Sequence, residues 1–246
     1  MYFSHARTLA WCRKAVEVSS SHPAVVGGRV ELFLLPGFLS VAEVAQQLKS
    51  AGACWSAGAQ DVCFADDGPY TGEVSAAQLA EVGARLVEVG HAERRRLFGE
   101  DDTVVAAKTA TILRHGLVPV LCIGENDHVD PAAAVDICLA QITSALGPAR
   151  AAGCFGRIVV AYEPVWAIGA SKPADVEHIV GVCGPLRAAL AADPDYSGDV
   201  IYGGSAGPGL LRKIGEHVDG LFLGRFAHDP HAIKGILDDI WAVSST

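Results

Sequence analysis

Seven short runs of β-branched and apolar residues alternate with helical stretches, and this alternation is the strongest constraint on how the chain can fold. The runs begin 20 to 42 residues apart, which is the spacing of βα units, and several are apolar on both faces. Such an array predicts an α/β fold with a parallel sheet or barrel. The predicted strands are Val30–Leu35, Cys54–Ala59, Arg85–Val89, Leu117–Cys122, Ile158–Tyr162, Val200–Tyr202 and Gly220–Leu223.

The chain opens with a helix rather than a strand, because Ser4 is a suitable N-cap and Leu9, Cys12 and Val16 fall on one face. The pattern therefore predicts eight helices and only seven strands, whereas a (βα)8 barrel closes with eight strands. The first strand is predicted to be absent, and no linker divides residues 1–246 into two domains. The predicted helices are Ser4–Ser20, Val41–Lys49, Ala77–Ala84, Thr103–His115, Pro131–Leu146, Pro173–Ala192, Gly209–Ile214 and Pro230–Val243, three of them with proline in the first turn.

Charge and cysteine content exclude several classes of partner. A net charge of −9 disfavours nucleic acid and anionic membranes, which attract basic surfaces. The longest stretch without a charged residue, Ile137–Ala149, has 13 residues, fewer than the roughly 20 that a membrane span needs. The seven cysteines form no Cys-x-x-Cys pair and no cluster with metal-ligand spacing. They are expected to be reduced core residues of a cytoplasmic protein.

Residues with chemical potential follow several of the predicted strands, at the end where βα barrels build active sites. His91 precedes a helix, whose N–H groups and dipole favour neutral imidazole, and Glu163 ends a strand beside apolar residues, where it can act as a base. The small residues that follow, with proline at both ends, suit a lid, and Gly203-Gly204-Ser205 can offer N–H groups to an anion. Singly, each feature fits a cap, an ion pair or a plain turn. Together, after strands of one array, they favour a site.

At these positions the sequence resembles the triosephosphate isomerase family, and the resemblance covers nearly the whole chain. It implies a TIM (βα)8-type barrel that interconverts dihydroxyacetone phosphate and glyceraldehyde 3-phosphate through an enediolate, in cytoplasmic glycolysis and gluconeogenesis, without a metal or other cofactor. The run around Glu163 is highly specific to that family. The matching segments are Gly58–Asp61, Tyr70–Ser75, Val89–Arg95, Cys122–Glu125, Ala161–Gly169 and Tyr202–Ser205.

The resemblance also assigns roles to individual residues. Glu163 would be the base, His91 the electrophile that polarises the carbonyl, and Glu93 an electrostatic support. The segment Pro164–Lys172 would form the lid, and the Tyr70–Ser75 loop would reach into a second subunit of a homodimer. The remaining implied residues are Trp166, Tyr202 and Glu125 for lid closure, and Gly169, Ser171, Ser205, Gly224 and Arg225 for binding the phosphate of a small phosphorylated sugar.

The largest departure from the family lies at the N-terminus. The family's first strand ends in Asn-x-Lys-Met, and Met1 corresponds to the Met of that motif, so no residue here matches the Lys or the Asn. The absence of the first strand is expected to leave the edges of two flanking strands unpaired. The absence of the lysine is expected to impair activity and to leave Glu93 as a buried carboxylate without a partner. One expected origin of this gap is a start residue assigned too late in the chain.

Four further differences from the family concern specificity. Arg225 replaces a glycine, and its guanidinium could bind phosphate, block the phosphate site or point into solvent. Ala92 replaces a serine, Asp61 replaces an asparagine, and Ala170-Ser171 alters the lid tip. Together they suggest a sibling isomerase for a different sugar phosphate, such as a four-carbon ketose phosphate. The alternative from another class is an inactive barrel that binds an anion or a protein partner.

Overall fold

A computed structural model describes residues 1–170 and 172–243, and its centre is one parallel sheet. The strands pair in chain order, and each pairs only with its sequence neighbours. All seven predicted strands are confirmed, although two of them begin two to four residues earlier than expected. The strands are β1 (Leu32–Leu34), β2 (Trp55–Ala59), β3 (Leu86–Val89), β4 (Val118–Ile123), β5 (Gly156–Tyr162), β6 (Tyr196–Tyr202) and β7 (Gly220–Leu221).

Ten α-helices lie within the described ranges, so the predicted count of eight is wrong. The two additional helices are short. One is a single turn after the first helix, and the other is the helix that His91 was expected to precede, which the count omitted. The helices are α1 (His5–Ser19), α2 (Pro23–Val26), α3 (Val41–Ser50), α4 (Ala76–Glu81), α5 (Ala92–Phe98), α6 (Asp102–Arg114), α7 (Pro131–Ala151), α8 (Val176–Ala191), α9 (Leu211–Ile214) and α10 (His231–Val243).

Capping side chains explain most of the helix starts. Ser4 caps α1 as predicted, and Pro131 occupies the first turn of α7 after the N-cap Asp130. Pro173 does not begin a helix, because the Asp175 carboxylate accepts the His178 N–H and sets the start of α8 at Val176. By length and composition alone α7 could span a membrane. In this fold it packs against α6 and α8, which accounts for its apolar residues.

The sheet is covered by helices on one face and open to a cleft on the other. Val87, Val160 and Tyr162 belong to the large core between sheet and helices. The opposite face carries a smaller cluster, which forms the concave interior of the curled sheet. Because side chains alternate along a strand, this interior set recurs at every second position. It consists of Leu86, Val120, Cys122, Val159, Ala161 and Ile201, with Phe33 and Phe222 packed at its margin.

The predicted unpaired edges are confirmed, because β1 and β7 end the sheet without pairing to each other. A cleft of about 2550 Å³ runs from this gap to the carboxyl ends of the strands. Phe33 and Phe222 face each other across the gap with ring centroids 6.3 Å apart. The seven strands therefore form a curled half-barrel whose interior is open along one side.

Candidate active site

The structure brings together His91 and Glu163, which are 72 positions apart in the sequence. His91 follows β3 and Glu163 follows β5, and β4 lies between these two strands. The Glu163 N–H donates to the Ile123 carbonyl of β4, which fixes the backbone at the strand end. His91 Nε2 lies 3.6 Å from Glu163 Oε2. A donor and a base that are this close can act on adjacent atoms of one small molecule.

The position of His91 determines which of its ring nitrogens faces the cleft. His91 is the N-cap of α5, and its Nδ1 accepts the Glu93 backbone N–H at 3.2 Å. In the neutral ring the proton is therefore on Nε2, which points towards Glu163. Burial lowers the pKa of His91 and outweighs the opposing effect of the Glu93 charge. His91 is thus placed as a neutral hydrogen-bond donor.

Glu163 is a buried carboxylate without a full set of partners. It is 6% exposed, and its Oε2 has no hydrogen-bond partner within the described residues. Burial, with a smaller contribution from the Glu93 charge, raises the pKa of Glu163 to about 8. A carboxylate with a pKa near the working pH is suited to both removing and returning a proton.

Two glycines make room for Glu163. A Cβ atom at Gly203 would lie 2.6 Å from Glu163 Oε1, and one at Gly124 would lie 2.1 Å from the Glu163 carbonyl oxygen. Neither position accepts a side chain while the glutamate keeps its place. Gly203 therefore leaves the space that the Glu163 carboxylate occupies, in addition to shaping the Gly203-Gly204-Ser205 turn.

Sequence reasoning missed a second carboxylate in the site. Glu88 lies on the interior face of β3, is 8% exposed, and has Oε1 at 3.9 Å from His91 Nε2. The Cys122 thiol donates to the same oxygen at 3.8 Å. Burial, and then the charge of Glu163, raise the pKa of Glu88 well above its usual range. The available signal was a glutamate inside the apolar run Leu86–Val89.

The predicted lid begins at Pro164, directly after Glu163, and a buried polar cluster holds its first turn. Val165–Ala167 form one turn of 3-10 helix, and Trp166 Nε1 donates to Glu125 Oε1 at 2.8 Å. Glu125 is 1% exposed and also accepts the Tyr162 hydroxyl at 3.1 Å. His178 Nε2 lies 3.2 Å from Glu125 Oε1. The structure thus places Trp166 against Glu125, two residues that the resemblance implies for lid closure, and adds His178, which the sequence did not indicate.

The turn after β6 contacts the other end of the lid. The Ser205 hydroxyl donates to the carbonyl oxygens of Ala167 and Ala170, at 3.0 and 3.1 Å. Ser205 has a φ of 58°, a left-handed conformation that few residues other than glycine adopt. The Tyr202 hydroxyl accepts the Ala174 N–H at 3.0 Å. Tyr202 and Ser205 therefore lie where lid-holding residues would be needed.

Arg225 lies next to the tip of the lid. A Cβ atom at Gly169 would be 3.0 Å from Arg225 Nη2, so the guanidinium packs against the lid backbone. Gly224 and Arg225 are both exposed to the cleft, which they help to line together with Gly169 and Ser205. The proposed phosphate site therefore has an arginine at its rim. Ser171, the remaining predicted member, lies outside the described residues.

Glu93 differs from its prediction. It is exposed in the first turn of α5, so the expectation of a buried, unpaired carboxylate is wrong. Its side chain lines the open cleft, where its charge acts on His91 and Glu163, while its backbone N–H donates to His91 Nδ1. Nearby, Asp61 is buried in an ion network, where Lys108 Nζ lies 2.6 Å from it and Arg94 Nε lies 2.9 Å away. The Lys108 charge is thus used to neutralise Asp61 and is not directed at the cleft.

Comparison with known proteins agrees with this geometry. The family model described as triosephosphate isomerase matches residues 1–240. The chain belongs to the triosephosphate isomerase family. Its relatives in this family carry two different names. L-erythrulose-1-phosphate isomerase of Pectobacterium atrosepticum is 47% identical over 246 residues, covering 100% of this chain and 94% of the relative.

Two further relatives are more distant. Triosephosphate isomerase of Mycobacteroides abscessus is 39% identical over 232 residues, covering 91% of this chain and 87% of the relative. L-erythrulose-1-phosphate isomerase of Mesorhizobium japonicum is 38% identical over 203 residues, covering 81% of this chain and 79% of the relative. The family and the isomerase class are shared by all three.

Proposed function

We propose that this chain is a sugar-phosphate isomerase whose substrate is a four-carbon ketose phosphate. The observation that carries the reaction type is the pair formed by Glu163, with a pKa raised to about 8, and the neutral His91 at 3.6 Å. The substrate class is supported by the 47% identity to an L-erythrulose-1-phosphate isomerase over the whole chain. A triose phosphate, the first expectation from the sequence, becomes the second candidate. A four-carbon substrate would also place the reaction outside glycolysis.

The proposed reaction exchanges a carbonyl and a hydroxyl between two adjacent carbons. The Glu163 carboxylate removes the proton from the hydroxyl-bearing carbon, and His91 Nε2–H donates a hydrogen bond to the carbonyl oxygen. The electron pair left by the proton moves into an enediolate, whose negative oxygen His91 stabilises. Glu163 then returns a proton to the neighbouring carbon, while the oxygens exchange their hydroxyl proton. No redox partner is consumed, because one carbon is oxidised as the other is reduced.

Three substitutions relative to the family pattern support a sugar phosphate other than a triose phosphate. Ala92 removes a hydroxyl beside His91, which leaves space in the cleft. Asp61 brings a carboxylate that needs Lys108 and Arg94. Arg225 places a guanidinium at the lid tip, where it could bind the phosphate together with Ser205 and the backbone of Gly169 and Gly224.

A homodimer is part of the same proposal. Tyr70–Glu73 of the Tyr70–Ser75 loop are exposed, and Phe64 packs edge-on against Tyr70 with ring centroids 5.2 Å apart. Two exposed aromatic rings on a projecting loop are suited to burial against a second copy of the chain. Light scattering coupled to size exclusion would give the mass of the assembly. We also place the reaction in the cytoplasm, because all seven cysteines are free.

The decisive test is an isomerisation assay in D2O followed by proton NMR. The chain is incubated separately with L-erythrulose 1-phosphate and with dihydroxyacetone phosphate, and deuterium incorporation next to the carbonyl is recorded. We expect faster exchange of the four-carbon substrate and its loss in Glu163→Gln. Faster exchange of the triose phosphate would overturn the substrate assignment. Exchange of neither substrate would favour the inactive, anion-binding alternative.

A further inference from the structure

The second carboxylate of the site, Glu88, has no part in the proton transfer described above. It lies three residues before His91 on β3, so it is deeper in the sheet interior than the strand ends that carry His91 and Glu163. It shares that interior face with Cys122 and Leu86. It also lines the same cleft as the two reactive residues. Glu88 thus forms part of the floor of the site.

The extra hydroxymethyl group of a four-carbon ketose 1-phosphate links the floor of the site to substrate specificity. Compared with dihydroxyacetone phosphate, such a molecule carries one more hydroxymethyl group, on the reacting carbon farthest from the phosphate. With the phosphate at the rim beside Arg225 and the reacting carbons between Glu163 and His91, the added group must extend away from the lid. That direction leads from the strand ends into the interior, where Glu88 lies.

We propose that Glu88 binds the terminal hydroxyl of the four-carbon substrate and thereby selects it over a triose phosphate. This proposal rests on the proposed function and identifies the residue that gives that function its substrate preference. Glu88 Oε1 is 3.9 Å from His91 Nε2, so a substrate whose carbonyl oxygen binds His91 has the Glu88 carboxyl group next to its reacting carbons.

The electrostatic setting fits this role. The Cys122 thiol and the His91 ring lie next to Glu88, and the charges of Glu163, Asp61 and Glu93 act on it from farther away. Because burial and the three carboxylates favour the protonated form of Glu88, its carboxyl group can both donate to and accept from a hydroxyl. A protonated carboxyl also adds no negative charge that would oppose the enediolate. An apolar residue at this position would leave the substrate hydroxyl buried without a partner.

The test compares two substitutions on two substrates. Glu88→Val replaces the carboxyl group with a side chain that matches the neighbouring Val120 and Val159 of the interior face. Glu88→Gln keeps a group that can donate and accept. For Glu88→Val we expect kcat/KM for L-erythrulose 1-phosphate to fall about 10- to 100-fold, while the value for dihydroxyacetone phosphate is unchanged or higher. Glu88→Gln should keep most of the four-carbon activity.

The outcomes separate this proposal from the proposed function. If the wild-type chain acts on L-erythrulose 1-phosphate and Glu88→Val keeps the wild-type ratio of kcat/KM for the two substrates, the role of Glu88 is overturned and the proposed function is not. An equal loss on both substrates would assign Glu88 to holding His91, and would also overturn it. If turnover is too slow to measure, the shift in melting temperature with each phosphate gives the same comparison by binding. A wild-type chain that neither binds nor converts the four-carbon compound would overturn both.

Discussion

Substitution of Glu163 by glutamine should remove activity and, at alkaline pH, make the protein more stable. Glu163 is 6% exposed, and its Oε2 has no partner within the described residues. Its pKa is about 8 in the folded protein, against an ordinary value of 4.5. The folded state therefore holds this proton through a pH range in which the unfolded chain has released it.

The sign and size of the effect follow from this difference. Between pH 4.5 and about 8 the folded state binds one proton more than the unfolded state, so the free energy of unfolding falls as pH rises. At about 1.4 kcal/mol per pH unit, the contribution over the whole window is roughly 5 kcal/mol. That is a large part of the roughly 5–15 kcal/mol that stabilises a typical domain. Glutamine carries no titrating proton and removes this slope.

The assay is urea unfolding of wild-type and Glu163→Gln at one protein concentration, at pH 5.5, 7.0 and 8.5. The unfolding free energy of Glu163→Gln minus that of wild-type should increase as pH rises. Glu216→Gln, a change at an exposed glutamate, is the matched control and should show no such trend. A difference between wild-type and Glu163→Gln that stays constant from pH 5.5 to 8.5 would refute the reasoning.

Three other predictions follow from the same structure. Because Glu163 must be ionised to act as a base, kcat/KM should fall about tenfold per pH unit below pH 8. Glu93→Gln removes a negative charge that raises the pKa of Glu163, so it should move this acidic fall of kcat/KM to lower pH. An acidic fall that stays at the same pH in the variant would contradict the coupling. Gly203→Ala places a Cβ atom 2.6 Å from Glu163 Oε1, and should lower kcat about 100-fold in steady-state assays by displacing the base; unchanged kcat would be contrary to this reading. Lys108→Met leaves the buried Asp61 and Glu100 without the ammonium group that lies 2.6 Å from each of them. The free energy of unfolding measured in urea should fall by about 3–5 kcal/mol. A fall below about 1 kcal/mol would mean that this ion network adds little to stability.

The positions of the strands could be predicted from the sequence because each strand combines β-branched residues with a following helix, a signal that is local. The number of helices could not. The helix α5 was expected after His91 but its seven residues were left out of the count, and α2 is a single turn of four residues. The start of α8 was misplaced because Pro173 is a common first-turn residue, whereas the stronger signal was the Asp175 cap.

The site was predictable where its residues stand at strand ends and less so where they lie inside a strand. His91 and Glu163 come at the carboxyl ends of β3 and β5, which meet at one edge of a parallel sheet. Glu88 is hidden in an apolar run, and only the alternation of side chains along β3 shows that it faces the interior with Cys122. The exposure of Glu93 depends on the rotation of α5, which the cap at His91 sets and the sequence pattern does not specify.

The charges of the cleft also distinguish an isomerase from a passive anion-binding barrel. A barrel that only binds anions gains from cations and loses from carboxylates in its interior. Here the interior holds Glu163 and Glu88, with raised pKa values, beside a histidine whose lowered pKa keeps it neutral. The guanidinium of Arg225 lies at the rim, against the lid. Burial of two carboxyl groups destabilises the fold, and a barrel that only binds anions gains nothing from them, whereas an interior that moves protons and binds hydroxyl groups uses both.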